Sequence, residues 1–154
     1  MQRGELNLVA AVRSQREYLR MIERSNPSGL HQTPGYHHVT VVAAGASTVH
    51  LAGQCPLDAS GTLVGPGDVV AQTEQVARNI VSALSSVGAM PSDVVRAVIY
   101  VASSERDVLS TVWSSLTSSP AADAFTSAAT LLGVAQLGFR GQLVEVDVTA
   151  ALPA

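Results

Sequence analysis

Two carboxylates near the C-terminal end, Glu145 and Asp147, stand two residues apart in the run Val144-Glu145-Val146-Asp147-Val148. On a strand this spacing sends both side chains to one side, with Cα atoms about 6.5–7 Å apart. A carboxylate so placed can orient a water or accept a proton. The same pattern also describes two solvated acids on an exposed strand. Gly53, in Ala52-Gly53-Gln54, would let backbone approach a ligand closely, and it fits a strand-end turn equally well. Tyr36, taken alone, reads as a half-buried aromatic. Gln72, Gln75 and Asn79 share one helical face by their spacing and read as amides that tie loops to a helix.

Other chemistries find no support. His37 and His38 are adjacent and point to opposite sides of the chain, while His31 and His50 stand alone. With a single cysteine, no metal-ligand spacing is present, so no metal is expected. Gly61, Gly65 and Gly67 lack the lysine and the strand-to-helix setting of a phosphate loop. Nothing marks a nucleophile motif. Cys55 reads as a small packing residue with no basic neighbour to lower its pKa. No cofactor is implied.

The elements that must position these residues follow from periodicity. Leu8, Val12, Leu19 and Ile22 predict an amphipathic helix over about Leu6–Arg24, ended by Asn26-Pro27. This helix is either a docking element or an upstream extension. Val39–Ala44 and Thr48–Gly53 are β-rich and read as a hairpin. Asp68 caps a helix running to about Val87, with Gly88 as its stop. Val94–Val101 is a strand buried on both faces by its continuous apolar character. Ser103 or Ser104 starts a second helix through Val108, Val112, Trp113 and Leu116. Thr130–Leu137 and Leu143–Ala151 read as a closing pair of strands. The order β-β-α-β-α-β-β is that of an α+β domain with a mixed sheet covered on one face by two helices. The uncovered face predicts self-association.

Several short motifs, in order, carry a resemblance: Asn26-Pro27-Ser28-Gly29-Leu30, Gly35-Tyr36, Gly53-Gln54, the Gln72, Gln75, Asn79 row, Ser127 to Ala135, and Glu145. Together they resemble the Rid family of reactive-intermediate deaminases, the YjgF group. The resemblance covers about Asn26–Leu152 and divides the chain into a helical extension, 1–25, and a Rid-like domain, 26–154. It implies a chorismate-mutase-like fold and a homotrimer around a central barrel, with sites for a small-molecule ligand between subunits. In that family the last two strands carry Pro-x-Arg-Ser/Thr and Val-Glu-x-Glu. Here they read Ser127-Ala128-Ala129-Thr130 and Val144-Glu145-Val146-Asp147. The resemblance implies a catalytic place for Glu145 and pocket places for Tyr36, Gly53, Ser110, Ala129, Thr130 and Leu131. Asp147 keeps the reading of a solvated acid.

Ala129 stands where the family arginine would hold a substrate carboxylate. An arginine fork makes two charged hydrogen bonds there, on the order of 1.5–3 kcal/mol each. Alanine forfeits them and leaves the carboxylate unpaired in a partly dry pocket. Standard 2-imino-acid deamination is therefore not expected unless Arg140 or a neighbouring subunit's arginine substitutes. Two readings stay open: a divergent imine or enamine hydrolase, and a non-catalytic trimeric ligand-binding protein.

Composition limits the partners. The chain has 154 residues, 47% of them apolar and 4% aromatic, enough for one aliphatic core. All nine cations are arginines. Only Arg78, Arg96, Arg106 and Arg140 lie beyond the N-terminal segment, against nine acids there from Asp58 to Asp147. So acidic a body cannot neutralise many phosphates, which argues against nucleic acid and against the endoribonuclease activity attached to some family members. No apolar run approaches the roughly 18–20 residues of a membrane span, and charged residues interrupt the N-terminus as a signal peptide would not allow. No membrane partner and a cytoplasmic location are the expectation.

Overall fold

The computed structural model describes residues 21–153. The helix expected over Leu6–Arg24 lies mostly outside them. Its last residues are not helical: β1, Ile22–Ser25, is a strand paired antiparallel with β2, Val39–Val42. Arg24 reaches across to the rest of the body, donating to the carbonyls of Ser92 (2.7 Å) and Val94 (2.9 Å).

The main sheet has the order β3-β6-β4-β5, from β3 (Ser47–His50), β6 (Val144–Leu152), β4 (Val94–Val101) and β5 (Ala128–Gly133). Only β4 and β5 run parallel; the other pairs are antiparallel. The fold is the mixed α+β arrangement read from the element order. Two pairings differ from expectation. The hairpin of β2 with β3 does not form, because β2 ladders with β1 and β3 with β6. The closing strands do not pair with each other either: β5 joins β4, and β4 separates it from β6. A β-α-β crossover explains the second case, since the helix between β4 and β5 returns the chain in parallel beside its predecessor.

The helices form where their signals predict. Asp68 accepts from the amides of Val70 and Ala71 and caps α1, Val69–Ser85. Gly88, at φ 75°, takes the left-handed conformation that ends it. The second helix, α2, is Arg106–Thr117, two residues inside the expected cap; its preceding turn is held by Ser103 Oγ accepting from Glu105 N–H. The core lies between these helices and one sheet face: Val76, Ile80 and Leu84 of α1, Val112 and Leu116 of α2, and Ala97, Ile99, Val101, Val144, Val146 and Val148 of the sheet are buried. Each of the buried Val, Ile and Leu side chains contributes roughly 1.5–3 kcal/mol.

The amide row does structural work. Buried Gln72 donates to the carbonyls of Gly65 (3.1 Å) and Gly141 (2.9 Å) and accepts from Leu143 N–H (2.7 Å). Asn79 donates to Cys55 and Leu57 carbonyls. These bonds fasten the loops before α1 and before β6 onto one helix face. Gln72→Leu strands two carbonyls and one amide, each costing about 1–3 kcal/mol. We expect at least about 2 kcal/mol lower stability in urea unfolding; a loss within error would mean that solvent replaces the amide.

Candidate functional site

Strand parity decides how the candidate residues are distributed. In β6, Val144 and Val146 face the helices, so Glu145 and Asp147 face the uncovered side. The register carries this across the sheet: Ile99 pairs with both Val146 and Leu131, and Tyr100 with both Glu145 and Leu132. Ala129 and Leu131 therefore lie on the helix side, packed against the core. Thr130 and Leu132 lie on the uncovered side with Tyr100.

On the helix side a cavity of about 330 Å³ is lined by Pro34, Tyr36, Ser110, Trp113, Ser114, Ala129 and Leu131. Four candidates thus meet: Tyr36, Ser110, Ala129 and Leu131. Thr130 does not join them. No lining residue carries a charge. The loop bearing Tyr36 is seated by His37, whose N–H and Nδ1 both donate to Thr126 carbonyl, the ring nitrogen at 2.6 Å. Thr40 Oγ1 accepts from Ala128 N–H at 3.1 Å and completes the tie to β5. The Tyr36 hydroxyl meets His31 Nε2 at 3.2 Å, and the Tyr36 and Trp113 rings stand edge to face, centroids 6.1 Å apart at 87°. Ser110 donates its hydroxyl proton to Arg106 carbonyl at 3.0 Å and keeps its lone pairs.

Glu145 and Gly53 meet on the other side of the sheet. Gln54 bridges to Val146 through two backbone hydrogen bonds, 2.7 and 3.2 Å, which lays Gly53 against Glu145. A Cβ on Gly53 would fall 2.0 Å from Glu145 Oε1, so only glycine leaves the carboxylate its place. Gln142, 4% exposed, donates from Nε2 to Glu145 Oε2 (2.9 Å), Cys55 Sγ (3.2 Å) and Val144 carbonyl (3.2 Å). Its Oε1 accepts from Phe139 N–H at 3.0 Å, which fixes the amide's orientation. Burial first, then the Glu145 carboxylate, push the Cys55 thiol up. Burial first, then the Asp147 and Glu145 carboxylates, push the Tyr100 phenol up; its hydroxyl donates to Asp147 Oδ2 at 3.2 Å.

The sequence reading missed Trp113, assigned to the helix's apolar stripe, and the flanking Pro34 and Ser114. Their signal was the spacing 110, 113 and 114, one helix face shared by a tryptophan and two serines. It also missed Gln142, for which no local pattern exists.

The sequence profile of the family described as Endoribonuclease L-PSP matches residues 30–152. The solved structure of YyfB from Yersinia pestis, a protein of unknown function of the conserved Rid family, is 31% identical. The match covers 86% of this chain and 99% of that one, with a TM-score of 0.75. The chain belongs to the Rid family. A YjgF/YER057c/UK114 member from Mycobacterium tuberculosis is 26% identical over 85% of this chain and 99% of that one, TM-score 0.56. YyfA from Yersinia pestis, another Rid protein, is 22% identical over 85% and 99%, TM-score 0.58, and is similar in fold. No curated protein matches the sequence. Among the described residues no helix is long and apolar enough to cross a membrane.

The carboxylate cluster makes a measurable prediction. Alkylation of Cys55 by iodoacetamide against pH should give an apparent pKa above the ordinary thiol value of about 8.5. Glu145→Gln should lower it, because a neighbouring negative charge opposes thiolate formation. An unchanged midpoint would mean that the carboxylate does not face the thiol.

Proposed function

We propose that this Rid-family chain is a divergent hydrolase of C=N bonds, acting between subunits on substrates without a carboxylate. The reading rests on one observation: an uncharged cavity and a held carboxylate occupy opposite faces of one sheet. One chain cannot close both on the same ligand. In a homotrimer the Glu145 face of one subunit would complete the Tyr36 and Ala129 cavity of the next. The uncovered face, with Val98, Tyr100 and Leu132 among its polar groups, supports such an assembly.

In this reading Glu145, kept in place by Gln142 and by the bare Gly53, takes a proton from the attacking water. The water oxygen bonds to the imine carbon while the C=N electron pair goes to nitrogen, which takes up the proton that Glu145 removed. Glu145 then passes the new hydroxyl proton to the amine nitrogen, and the C–N bond breaks as the C=O bond forms, releasing ammonia. No cation lines the cavity to hold a carboxylate, and Arg140 lies exposed in the turn before β6, beside the Gln142 cluster. The second reading, a non-catalytic ligand-binding trimer, is favoured by the same lack of charge. A ribonuclease remains a third reading through the family's description, against the acidic balance of the body.

The test compares two substrates: 2-imino acids generated in place by an amino-acid oxidase, and a neutral ketimine such as benzophenone imine. The protein should accelerate only the second. Glu145→Gln should lower that rate by about 10²-fold or more, the scale of a general base. Gly53→Ala should lower it as well in a folded protein, by displacing the carboxylate. Ala129→Arg should raise 2-imino-acid turnover at least about tenfold, given two charged hydrogen bonds. Acceleration of neither substrate would favour the binding protein, and full wild-type turnover of 2-imino acids would overturn the neutral-substrate reading.

A further inference from the structure

The cavity's walls specify more than the absence of charge. Tyr36 and Trp113 meet at 87°, forming a corner in which a flat ring offers its face to one and its edge to the other. Ala129 and Leu131 close the corner with aliphatic surface and Pro34 adds another apolar wall. At about 330 Å³ the space lies at the small end of ligand pockets and suits one ring with a short substituent. Ser110 has spent its proton on Arg106 carbonyl, so toward a ligand it accepts hydrogen bonds. Ser114 stands one turn further along the same face of α2.

We propose that this cavity binds a flat, uncharged aromatic ring bearing an N–H donor, the class of aromatic primary amides and N–H imines. The ring fills the Tyr36–Trp113 corner, and the N–H donates to Ser110 Oγ. A carboxylate in the substituent's place brings lone pairs against Ser110 and a charge that nothing in the lining compensates. The inference rests on taking this cavity as the ligand half of the site, and not on turnover.

Trp113 is the chain's single tryptophan, so ligand binding reads out directly in its fluorescence. The full-length protein is titrated with benzamide, benzoate and toluene. Benzamide should give a saturable change, with benzoate at least tenfold weaker. Ser110→Ala should weaken benzamide several-fold and leave toluene unaffected, which separates a lost hydrogen bond from a misfolded cavity. Ala129→Arg should reverse the order of benzamide and benzoate. Benzoate binding as tightly as benzamide would overturn the proposal; if Arg106→Ala then abolished that binding, the anchor would be a cation at the start of α2. No saturable response to any of the three probes would overturn it as well. Benzamide binding without imine turnover would retain this inference and remove the hydrolase reading, so the two fail separately.

Discussion

Side chains alternate across a strand, and this constraint organises the rest of the molecule. Burying Ala97, Ile99 and Val101 of β4 with Val144, Val146 and Val148 of β6 against the two helices commits every intervening residue to the opposite face. Glu145, Asp147, Tyr100 and Thr130 thereby leave the core side together. A shift of one residue in the β4–β6 register would put Glu145 into the aliphatic core, where an unpaired carboxylate costs several kcal/mol. Core burial and site geometry are thus one decision.

Around that sheet, side-chain amides, buried at Gln72 and Gln142 and half-buried at Asn79, do the fastening. Gln72 and Asn79 hold loops against α1, and Gln142 holds a carboxylate. A neutral amide presents donor and acceptor at one end, so it satisfies backbone groups of both kinds without the desolvation penalty of a charge. The same economy shapes the cavity, whose walls are aromatic, aliphatic and hydroxyl. A pocket so lined discriminates by shape and hydrogen-bond sense, where an arginine would have selected by charge.

The cavity at Ala129 is lined without a cation, while Gly53 and Glu145 meet on the other side of the sheet. A Cβ at residue 53 would collide with the Glu145 carboxylate, so glycine is what leaves that carboxylate its room. That fit beside a Glu145 held by Gln142 is what keeps a catalytic reading ahead of a purely binding one. The thiol of Cys55 in the same cluster is a bystander held neutral by its surroundings.

Much of the fold was legible in the chain. Asp68 and Gly88 bounded α1 to within two residues, and the apolar run Val94–Val101 coincided with β4, because caps and continuous β-branched runs are local signals. Motif order named the family. Strand partners were not legible: β2 chose β1 and β5 chose β4, since pairing depends on which edges the folded chain brings together. The candidate residues were legible as types at positions, yet their grouping was invisible. That Tyr36, Ser110, Trp113, Ala129 and Leu131 share a cavity, while Glu145 meets Gly53 and Gln142 behind the sheet, follows from contacts between residues tens of positions apart. The sequence by itself determined the elements and the chemistry available. Only the tertiary structure decided which side of the sheet each group faces, because parity becomes direction only once one face is buried.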